Sequence, residues 1–504
     1  MATDRFVVIG GDAAGMSAAS KAKREDPDVD VVVFEKGDWV SYAACGMPYY
    51  VKGDVGSLDD LVAIEPERFR EERGIDLRTG HEVTAIDPDA DPGAADPHDV
   101  GGTVTVEGPD GTIEEPYDAL LVATGASAIV PPFDGVELDG VHTIHDMDDA
   151  GRLRDVVAGG APMGEGYGES SGEYAAAAPD TVALVGGGYV GMEMAEAFRE
   201  RGCDVHLFEM LPHVLAPFGD EVADRVERHL EEQGVALHLE TAVEAFEGDG
   251  SGHVTAVQTE DGTVDVDLVL VGVGVAPNTG LAEEAGVSLG ESGAIAVDGH
   301  GRTDVPGIYA AGDCAEARHV VTGEPTHVPL ALTANRSGRA IGATVAGDPT
   351  PVGAIAGTAV VKVFEQDVGR TGVIDHERAA DAGFDPVSKT ITAPTRAHYY
   401  PGAGEIQITL TADADSGRVL GAAMAGDEGV AKRLDTVATA LHAGMTVGEL
   451  TYCDLSYAPP YSPVWDPVLT AAKVLGGAVD AEPPEPPTGD AAAWAEPSPA
   501  AEDD

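Results

Sequence analysis

The sequence predicts an α/β fold with two Rossmann-like domains and a C-terminal α+β domain. Near the start, the apolar run Phe6–Ile9 leads into GGDAAG (Gly10–Gly15), then a helical stretch, then an apolar run that ends at Glu35. The same order recurs where Val182–Val185 leads into GGGYVG (Gly186–Gly191), a helical stretch and a further apolar run. Strand-like runs alternate with helical ones again in the last third of the chain, which predicts the α+β domain.

Both glycine turns have the pattern of a dinucleotide site. One glycine allows the tight turn, one lets a pyrophosphate approach the backbone, and one lets the helix pack on the strand. An acid that ends the second strand accepts hydrogen bonds from a ribose, and Glu35 and Glu209 stand there. GGGYVG fits G-x-G-x-x-G, whereas GGDAAG has Asp12 at the middle glycine. Two copies in the same context predict two dinucleotide-binding domains, and simple turns before helices are the alternative.

The domain boundaries follow from changes of pattern along the chain. Residues 280–347 are expected to be short strands and loops that complete the first domain. A Gly-, Ala- and Ser-rich stretch reads as a surface insertion, and an Ala-, Pro- and acid-rich end reads as a disordered tail. The predicted units are a discontinuous first domain (1–148 and 281–348), a second domain (149–280, with the insertion at 159–179), a third domain (349–478) and an acidic tail (479–504).

The chain is strongly acidic, with 89 acidic and 29 basic residues and a formal net charge of −60. Its hydrophobic fraction of 43% is that of a folded protein, so disorder is not expected for most of it. We interpret the charge as a halophilic surface that loses its fold or activity in low salt. Such a charge argues against nucleic acid and anionic membranes as partners. With no apolar run near the roughly 18 residues of a membrane span, and a strand-like N-terminus, a cytoplasmic protein is predicted.

The four cysteines have no metal-ligand spacing, so no metal site is predicted. Cys45 lies ten residues after Glu35, within SYAACGMPYY (Ser41–Tyr50). A helix is expected to begin just after Cys45 and to lower the pKa of its thiol, which favours the reactive thiolate. An inert, buried cysteine is the alternative. Cys203 and Cys314 are expected to be structural.

Several motifs together resemble the single-cysteine branch of the pyridine nucleotide-disulfide oxidoreductases, which includes coenzyme A-disulfide reductases and NADH oxidases. Two-cysteine members have a further cysteine where this chain has Val40. The resemblance runs from about Phe6 to Asp466. The motifs that carry it are SYAACGMPYY, LLVATGA (Leu120–Ala126), VGVGVAPN (Val271–Asn278), GIYAAGDC (Gly307–Cys314), HYYPGAG (His398–Gly404) and DLSYAPPYSP (Asp454–Pro463).

The resemblance implies that the first domain binds FAD and the second binds NAD(P)H. Glu209 suits a free ribose hydroxyl and repels a phosphate there, which favours NADH over NADPH. The implied FAD contacts are Gly10, Gly11, Asp12, Ala13, Ala14, Gly15, Glu35, Lys36, Val83, Ala123, Thr124, Gly125, Gly312 and Asp313. The implied NAD(P)H contacts are Gly186, Gly188, Tyr189, Val190, Gly191, Glu209 and Gly274.

The resemblance also implies a homodimer whose active sites are completed across the interface, with Cys45 as the redox residue. Tyr399 and Tyr457 of the third, dimerisation domain would reach the partner's site, and simple packing of the interface is the alternative. Cys453 would then be a resolving thiol or an inert cysteine. The implied substrate contacts are Ser17, Lys21, Arg24, Ser41, Arg73 and Asn335. The alternative is that the cations among them are ordinary surface charges.

Some positions depart from the family pattern. Ala44 replaces an asparagine, and Asn335 and Trp465 replace a histidine and a lysine that help to bind substrate. These departures put coenzyme A itself in question more than disulfide reduction.

The function implied is NAD(P)H-dependent reduction of a low-molecular-weight disulfide, such as coenzyme A disulfide, through FAD and Cys45. Three alternatives stay open at this point. One is an NADH oxidase or peroxidase that forms a Cys45 sulfenic acid. Another is a polysulfide or persulfide reductase, against which we count the lack of an added sulfur-transfer domain. The third is a non-catalytic redox-sensing flavoprotein.

Overall fold

The computed structural model describes residues 4–88, 101–159 and 178–479. The predicted insertion at 159–179 and the predicted tail at 479–504 therefore lie outside the described residues, apart from their end positions.

The helices and strands are numbered in chain order. The helices are α1 (Ala13–Glu25), α2 (Met47–Lys52), α3 (Pro66–Glu71), α4 (Met147–Val157), α5 (Tyr189–Glu200), α6 (Asp220–Glu232), α7 (Gly280–Glu284), α8 (Ala331–Val345), α9 (His376–Asp381), α10 (Val430–Ala443), α11 (Val447–Thr451) and α12 (Pro467–Leu475). The strands before α5 are β1 (Arg5–Ile9), β2 (Asp30–Phe34), β3 (Asp76–Arg78), β4 (Glu82–Pro88), β5 (Gly102–Gly108), β6 (Gly111–Tyr117), β7 (Ala119–Val122), β8 (Ala126–Ala128), β9 (Val141–His142) and β10 (Thr181–Val185). Those after α5 are β11 (Asp204–Phe208), β12 (Val235–His238), β13 (Val243–Gly248), β14 (Val254–Thr259), β15 (Gly262–Asp265), β16 (Leu268–Val271), β17 (Val275–Pro277), β18 (Ile308–Ala310), β19 (Ala317–Arg318), β20 (Pro325–Thr326), β21 (Ala359–Val363), β22 (Gln366–Gly372), β23 (Pro386–Pro394), β24 (Glu405–Asp413) and β25 (Val419–Gly426).

The first sheet is parallel and has the strand order β18-β7-β1-β2-β3. Its central strands are continuous apolar runs because helices and loops cover both faces. The edge strand β18 comes from much later in the chain, and Ile308 pairs with Leu120 of β7. The chain therefore leaves this sheet, builds a second one and returns.

The second sheet is also parallel, with the order β12-β11-β10-β16-β9. Each of these two sheets is accompanied by a three-stranded antiparallel sheet, β4-β5-β6 and β13-β14-β15 respectively. These smaller sheets have no counterpart among the expectations from the sequence.

The third sheet is antiparallel, with the order β21-β22-β25-β24-β23. Apolar residues of β24 and β25 pack with α10, α11 and α12 in one core. The alternation of strands and helices expected in this region is present.

Helix α8 differs from the expectation of short strands and loops between residues 280 and 347. It packs tightly on α1, because Gly338 and Gly342 lie against the backbone of Ala14 and Ala18. A Cβ at either glycine would overlap a carbonyl oxygen of α1. The small residues look loop-forming in the sequence, whereas in the fold they allow two helix backbones to approach closely.

None of the described helices is both long and apolar enough to cross a membrane.

Candidate active site

The first glycine turn forms a cradle of backbone after β1. Gly10 has φ +108°, and a Cβ there would overlap the carbonyl oxygen of Ala123. A Cβ at Gly15 would overlap the carbonyl oxygen of Gly10, so both positions need glycine. Ala13 and Ala14 form the first turn of α1, whose free amides favour an anion. The cradle fits the pyrophosphate of a dinucleotide such as FAD.

The second glycine turn repeats this geometry after β10. Gly186 has φ +110° and lies against the carbonyl oxygen of Gly272, while Gly191 lies against that of Gly186. Gly188 precedes α5 and has no other atom within 4 Å of its Cβ position, which leaves room for a ligand. This cradle fits the pyrophosphate of NAD(P)H, with Tyr189 and Val190 starting the helix beside it.

The two acids that end the second strands have equivalent contacts. Glu35 accepts hydrogen bonds from the amides of Gly11 and Gly37, both at 2.7 Å. Glu209 accepts from the amides of Gly187 at 2.7 Å and Leu211 at 2.8 Å. Each carboxylate keeps lone pairs that a ribose hydroxyl can use.

Asp12 explains the departure of GGDAAG from the glycine pattern. Its carboxylate accepts a hydrogen bond from the amide of Tyr42 at 3.1 Å, which ties the cysteine segment to the first turn. Burial, with Glu35 and Asp313 nearby, raises the pKa of Asp12 to about 6.

The other residues expected at the cofactors lie around the same strand ends. Thr124 Oγ1 donates to the carbonyl of Asn278 at 2.7 Å, and Gly125 accepts from the Asn278 amide at 3.0 Å, which joins the ends of β7 and β17. Asp313 follows Gly312 and is half-buried, and burial raises its pKa. Of the rest, Lys36 is exposed after Glu35, Val83 is half-buried on β4, and Gly274 has φ +117° before β17.

Cys45 lies in a 3₁₀ turn, Ala44–Gly46, directly before α2, so the expected helix start is present. The cysteine is free and its side chain is reachable from solvent. The expectation that this position lowers the thiol pKa is wrong for this chain. Burial raises the pKa of Cys45, and the carboxylates of Glu193 and Asp313 raise it further. Removal of the thiolate from water is the largest cause, and the two carboxylates act in the same direction.

Glu193 is a residue near Cys45 that the sequence did not single out. It lies on α5, in the same helix that begins at the second glycine turn. The hydroxyl of Tyr49, on α2, donates to Glu193 Oε1 at 3.0 Å. Burial raises the pKa of Glu193 to about 7. Within GGGYVGMEMAE this glutamate looks like an ordinary acid of a helix. Only the packing of α5 on α2 shows that it lies near Cys45.

Ser41 has φ +50°, a left-handed conformation unusual for a serine. Its amide donates to the Gly11 carbonyl at 3.0 Å and its carbonyl accepts from Ala63 at 2.8 Å. The segment between Glu35 and Cys45 is thus hydrogen-bonded to the first glycine turn through one group of Ser41 and to Ala63 through the other.

Most of the residues expected at the substrate converge on α1 and α8. Ser17 Oγ donates to the side-chain carbonyl of Asn335 at 2.7 Å, so the close helix packing brings these two together. Arg73 donates to Ser20 Oγ of α1 at 2.6 Å. Lys21 is ion-paired to Glu25, one turn along the helix, and lowers the pKa of that carboxyl.

A basic cluster results on this face, formed by Lys21, Arg24, Arg73 and Arg339. Arg24 and Arg339 are exposed, and both add to the lowering of the Glu25 pKa. Arg339 comes from α8 and was missed, since only the packing of α8 on α1 reveals its place. Two expected substrate residues lie on other elements: Arg73 reaches this face from the segment after α3, and Ser41 lies in the segment before Cys45.

The two tyrosines expected at the partner's site lie together on the surface of the third domain. Tyr399 Oη and Tyr457 Oη are 3.3 Å apart, and their residues are 65% and 45% exposed. Tyr452, Tyr461 and Trp465 are exposed nearby in sequence. A surface this rich in exposed aromatic residues is typical of a protein interface.

The remaining cysteines differ in their surroundings. Cys203 and Cys314 are buried and lie against backbone carbonyls, and burial raises the pKa of both thiols. Cys453 is half-buried just after α11, and burial raises its pKa as well.

Comparison with known proteins gives two family matches. Residues 4–338 match the pyridine nucleotide-disulphide oxidoreductase family. Residues 358–467 match the dimerisation domain of pyridine nucleotide-disulphide oxidoreductases.

Three relatives match nearly the whole chain. An NAD(P)H coenzyme A polysulfide/persulfide reductase of Pyrococcus horikoshii is 39% identical over 94% of this chain and 98% of its own. An NADH oxidase of Methanocaldococcus jannaschii is 34% identical over 93% and 98%. A coenzyme A disulfide reductase of Staphylococcus aureus is 29% identical over 91% and 96%.

Among solved structures, an NAD-dependent persulfide reductase from A. fulgidus matches with a TM-score of 0.85 and 36% identity. The match covers 94% of this chain and 83% of that one. The chain belongs to the pyridine nucleotide-disulphide oxidoreductase family and is an FAD-dependent, NAD(P)H-linked oxidoreductase.

Proposed function

We propose that this enzyme uses NADH to reduce the sulfur–sulfur bond of a coenzyme A-type disulfide or persulfide, through FAD and Cys45. The observation that carries the proposal is the placement of one solvent-reachable thiol directly after the segment tied to the first glycine turn. The basic cluster on α1 and α8 supports a phosphate-bearing substrate, since such cations are scarce in this acidic chain.

Cys45 would act as the nucleophile. Its thiolate attacks one sulfur of the substrate, the substrate S–S bond breaks, and the departing thiolate takes up a proton to leave as a thiol. Cys45 is then joined to the other half in a mixed disulfide. Two electrons from NADH and one proton cleave that bond and restore the Cys45 thiolate, with release of the second thiol from a disulfide or of hydrogen sulfide from a persulfide. Bound FAD supplies the route for those electrons.

The chain's other residues would bind and orient the reactants. Glu35 and the first glycine turn would hold FAD, and Glu209 with the second turn would hold NADH. Tyr399 and Tyr457 of the partner subunit would face Cys45 and supply a hydroxyl to the departing sulfur. These roles agree with a homodimer whose two sites each need both chains, and with a cytoplasmic enzyme whose cysteines stay reduced.

The relatives bear on whether the substrate is a disulfide or a persulfide. An added sulfur-transfer domain was expected of a persulfide reductase. That consideration does not separate the two substrates, because the polysulfide/persulfide reductase of P. horikoshii is matched over 98% of its own length. Persulfide reduction therefore stands beside disulfide reduction as a variant of the same step.

An oxidase is the second candidate function, favoured by the similarity to the M. jannaschii NADH oxidase. In that case Cys45 would be oxidised by peroxide or oxygen to a sulfenic acid and then reduced.

One experiment separates these functions. The holoenzyme is purified in high salt, and NADH consumption is followed with coenzyme A disulfide, coenzyme A persulfide, glutathione disulfide and oxygen. Cys45→Ser is measured beside wild type, with Cys453→Ser as a matched control. The proposal expects the coenzyme A substrates to be preferred and only Cys45→Ser to abolish their reduction. Full disulfide and persulfide turnover by Cys45→Ser would contradict it, and a preference for oxygen would favour the oxidase.

A further inference from the structure

Two loops carry the tyrosines that the proposed function assigns to the partner's active site. Loop 395–404 contains Tyr399 and loop 454–466 contains Tyr457. The first loop is closed at its base, where the amide of Thr395 donates to the carbonyl of Gly404 at 2.9 Å. The loops touch where the amide of Ala397 donates to the carbonyl of Pro459 at 3.3 Å.

Arg433, on α10, lies beneath both loops and is 9% exposed. Its Nη2 donates to the carbonyl of Thr395 at 2.7 Å and to that of Tyr461 at 3.4 Å. Its Nε donates to Asp466 Oδ2 at 3.0 Å. One guanidinium therefore contacts the base of the first loop and two positions of the second.

The acceptors are themselves fixed. Asp466 also accepts from Ser462 Oγ at 2.9 Å and from the amide of Val468 at 2.9 Å, where it caps α12. Thr395 Oγ1 donates to Glu428 Oε1 at 2.6 Å. A buried guanidinium that is bonded to fixed acceptors is costly to move, which favours this arrangement of the two loops.

We propose that Arg433 is a positioning residue that sets the two loops, and with them Tyr399 and Tyr457, in the arrangement that disulfide or persulfide reduction needs. This inference rests on the proposed function. Arg433 touches neither tyrosine ring in the contacts of the described residues, and it acts through the loop backbones. A planar guanidinium can bond to three acceptors in fixed directions, whereas a lysine ammonium on a flexible stem cannot hold the same set.

The test compares Arg433→Lys with wild type in the dimeric holoenzyme at high salt. Arg418→Lys is the matched control, because Arg418 lies in the same domain and also donates to a backbone carbonyl, that of Val320 at 3.2 Å, away from both loops. Tyr457→Phe reports on the tyrosine itself. The measurements are kcat and KM for coenzyme A disulfide and for NADH, and NADH-dependent reduction of ferricyanide, which needs neither tyrosine.

Arg433→Lys is expected to lower kcat/KM for coenzyme A disulfide about tenfold, the effect of weakening a charge-assisted bond. The KM for NADH and ferricyanide reduction should stay at the wild-type values, as should every parameter of Arg418→Lys. Ser462→Ala removes only one bond to Asp466 and should lower the same ratio about threefold. This second variant decides the question if Arg433→Lys does not fold.

Two outcomes overturn different claims. The positioning role is overturned if Arg433→Lys has wild-type disulfide kinetics while Tyr457→Phe is impaired, and the proposed function then stands. Where Arg433→Lys does not fold, the same conclusion follows from wild-type kinetics in Ser462→Ala. Wild-type kinetics in Tyr457→Phe overturns the role that the proposed function gives to the tyrosines.

Discussion

Lys52 and Glu196 form an ion pair between the helix that follows Cys45 and the helix that follows the second glycine turn, with Nζ and Oε1 2.8 Å apart. Glu196 is 4% exposed. The same carboxylate accepts from Lys362 Nζ at 2.6 Å and from the amide of Phe364 at 2.8 Å, both at the first strand of the third sheet. The carboxylate of Glu196 on α5 therefore contacts both α2, which follows Cys45, and the first strand of the third sheet.

Replacing Glu196 with Ala should destabilise the protein by about 3 kcal/mol, because two ammonium groups lose their shared partner. Chemical unfolding in high salt measures the loss. Asp435→Ala is the control, since its pairing with Lys432 is exposed and should contribute less than about 1 kcal/mol. Equal losses of unfolding free energy in the two variants would show that the buried ion pair stabilises the protein no more than the exposed one.

Glu193→Gln should lower the pKa of the Cys45 thiol, since the carboxylate of Glu193 raises it. At a fixed pH above about 7, where Glu193 is charged, and below the pKa of Cys45, the variant therefore has more thiolate and reacts faster with iodoacetamide. Peptide mapping follows alkylation of Cys45 apart from that of Cys453. Glu200→Gln, at the exposed end of the same helix, should leave the rate unchanged. A slower rate in Glu193→Gln would contradict the electrostatic account.

Glu193 should also make stability depend on pH. Folding raises its pKa from 4.5 to about 7, so the folded state disfavours the charged form. Below about pH 4.5 both states are protonated and there is no cost, whereas between pH 4.5 and 7 the cost grows with pH. Relative to Glu193→Gln, the free energy of unfolding of the wild type should fall by up to about 3 kcal/mol as the pH rises through this window. Parallel unfolding curves for the two proteins across the window would contradict this expectation.

Gly338→Ala should force α8 away from α1, because the new Cβ would overlap the carbonyl oxygen of Ala14. Overpacking of this kind costs about 1–3 kcal/mol. The shift would also separate Asn335 from Ser17, so KM for the substrate should rise. Gly476→Ala is the control, as no other atom lies within 4 Å of its Cβ position and its φ is −57°. The packing argument would be contradicted if Gly338→Ala kept both the unfolding midpoint and the substrate KM of the wild type.

Glu209→Gln should narrow the preference for NADH over NADPH. Removing the charge takes away repulsion of a 2′-phosphate and weakens the bond to a 2′-hydroxyl. The ratio of kcat/KM for the two nucleotides should shift about tenfold. The amides of Gly187 and Leu211 donate to different oxygens of Glu209, so the single glutamine oxygen keeps one of these two bonds. The lost bond should cost about 1–3 kcal/mol of unfolding free energy, which leaves the protein folded. An unchanged ratio would mean that Glu209 does not choose the nucleotide.

The sequence predicted the parts of the fold that repeat a local pattern. Both strand–turn–helix units, the acids Glu35 and Glu209, and the turn at Cys45 are visible because each needs particular residues close together in the chain. The long helix α8 was missed, since Gly338 and Gly342 weaken a helical signal and make sense only against α1.

The electrostatics of Cys45 could not be predicted for the same physical reason. The residues that raise its pKa, Glu193 and Asp313, come from elements roughly 150 and 270 positions away in the chain, and packing alone brings them near. Arg339 and Arg433 were likewise ordinary basic residues until the helices that carry them were placed.

The return of the chain to its first sheet has a consequence for synthesis on the ribosome. Strand β18 pairs with β7, and α8 packs on α1, so the first domain cannot be completed until more than 300 residues have been made. The second sheet needs only residues 141–271 and can close earlier. Contacts so distant in sequence form slowly, and β7 then waits with one edge unpaired. The nascent chain should therefore depend most on chaperones during this interval, although its beginning was translated first.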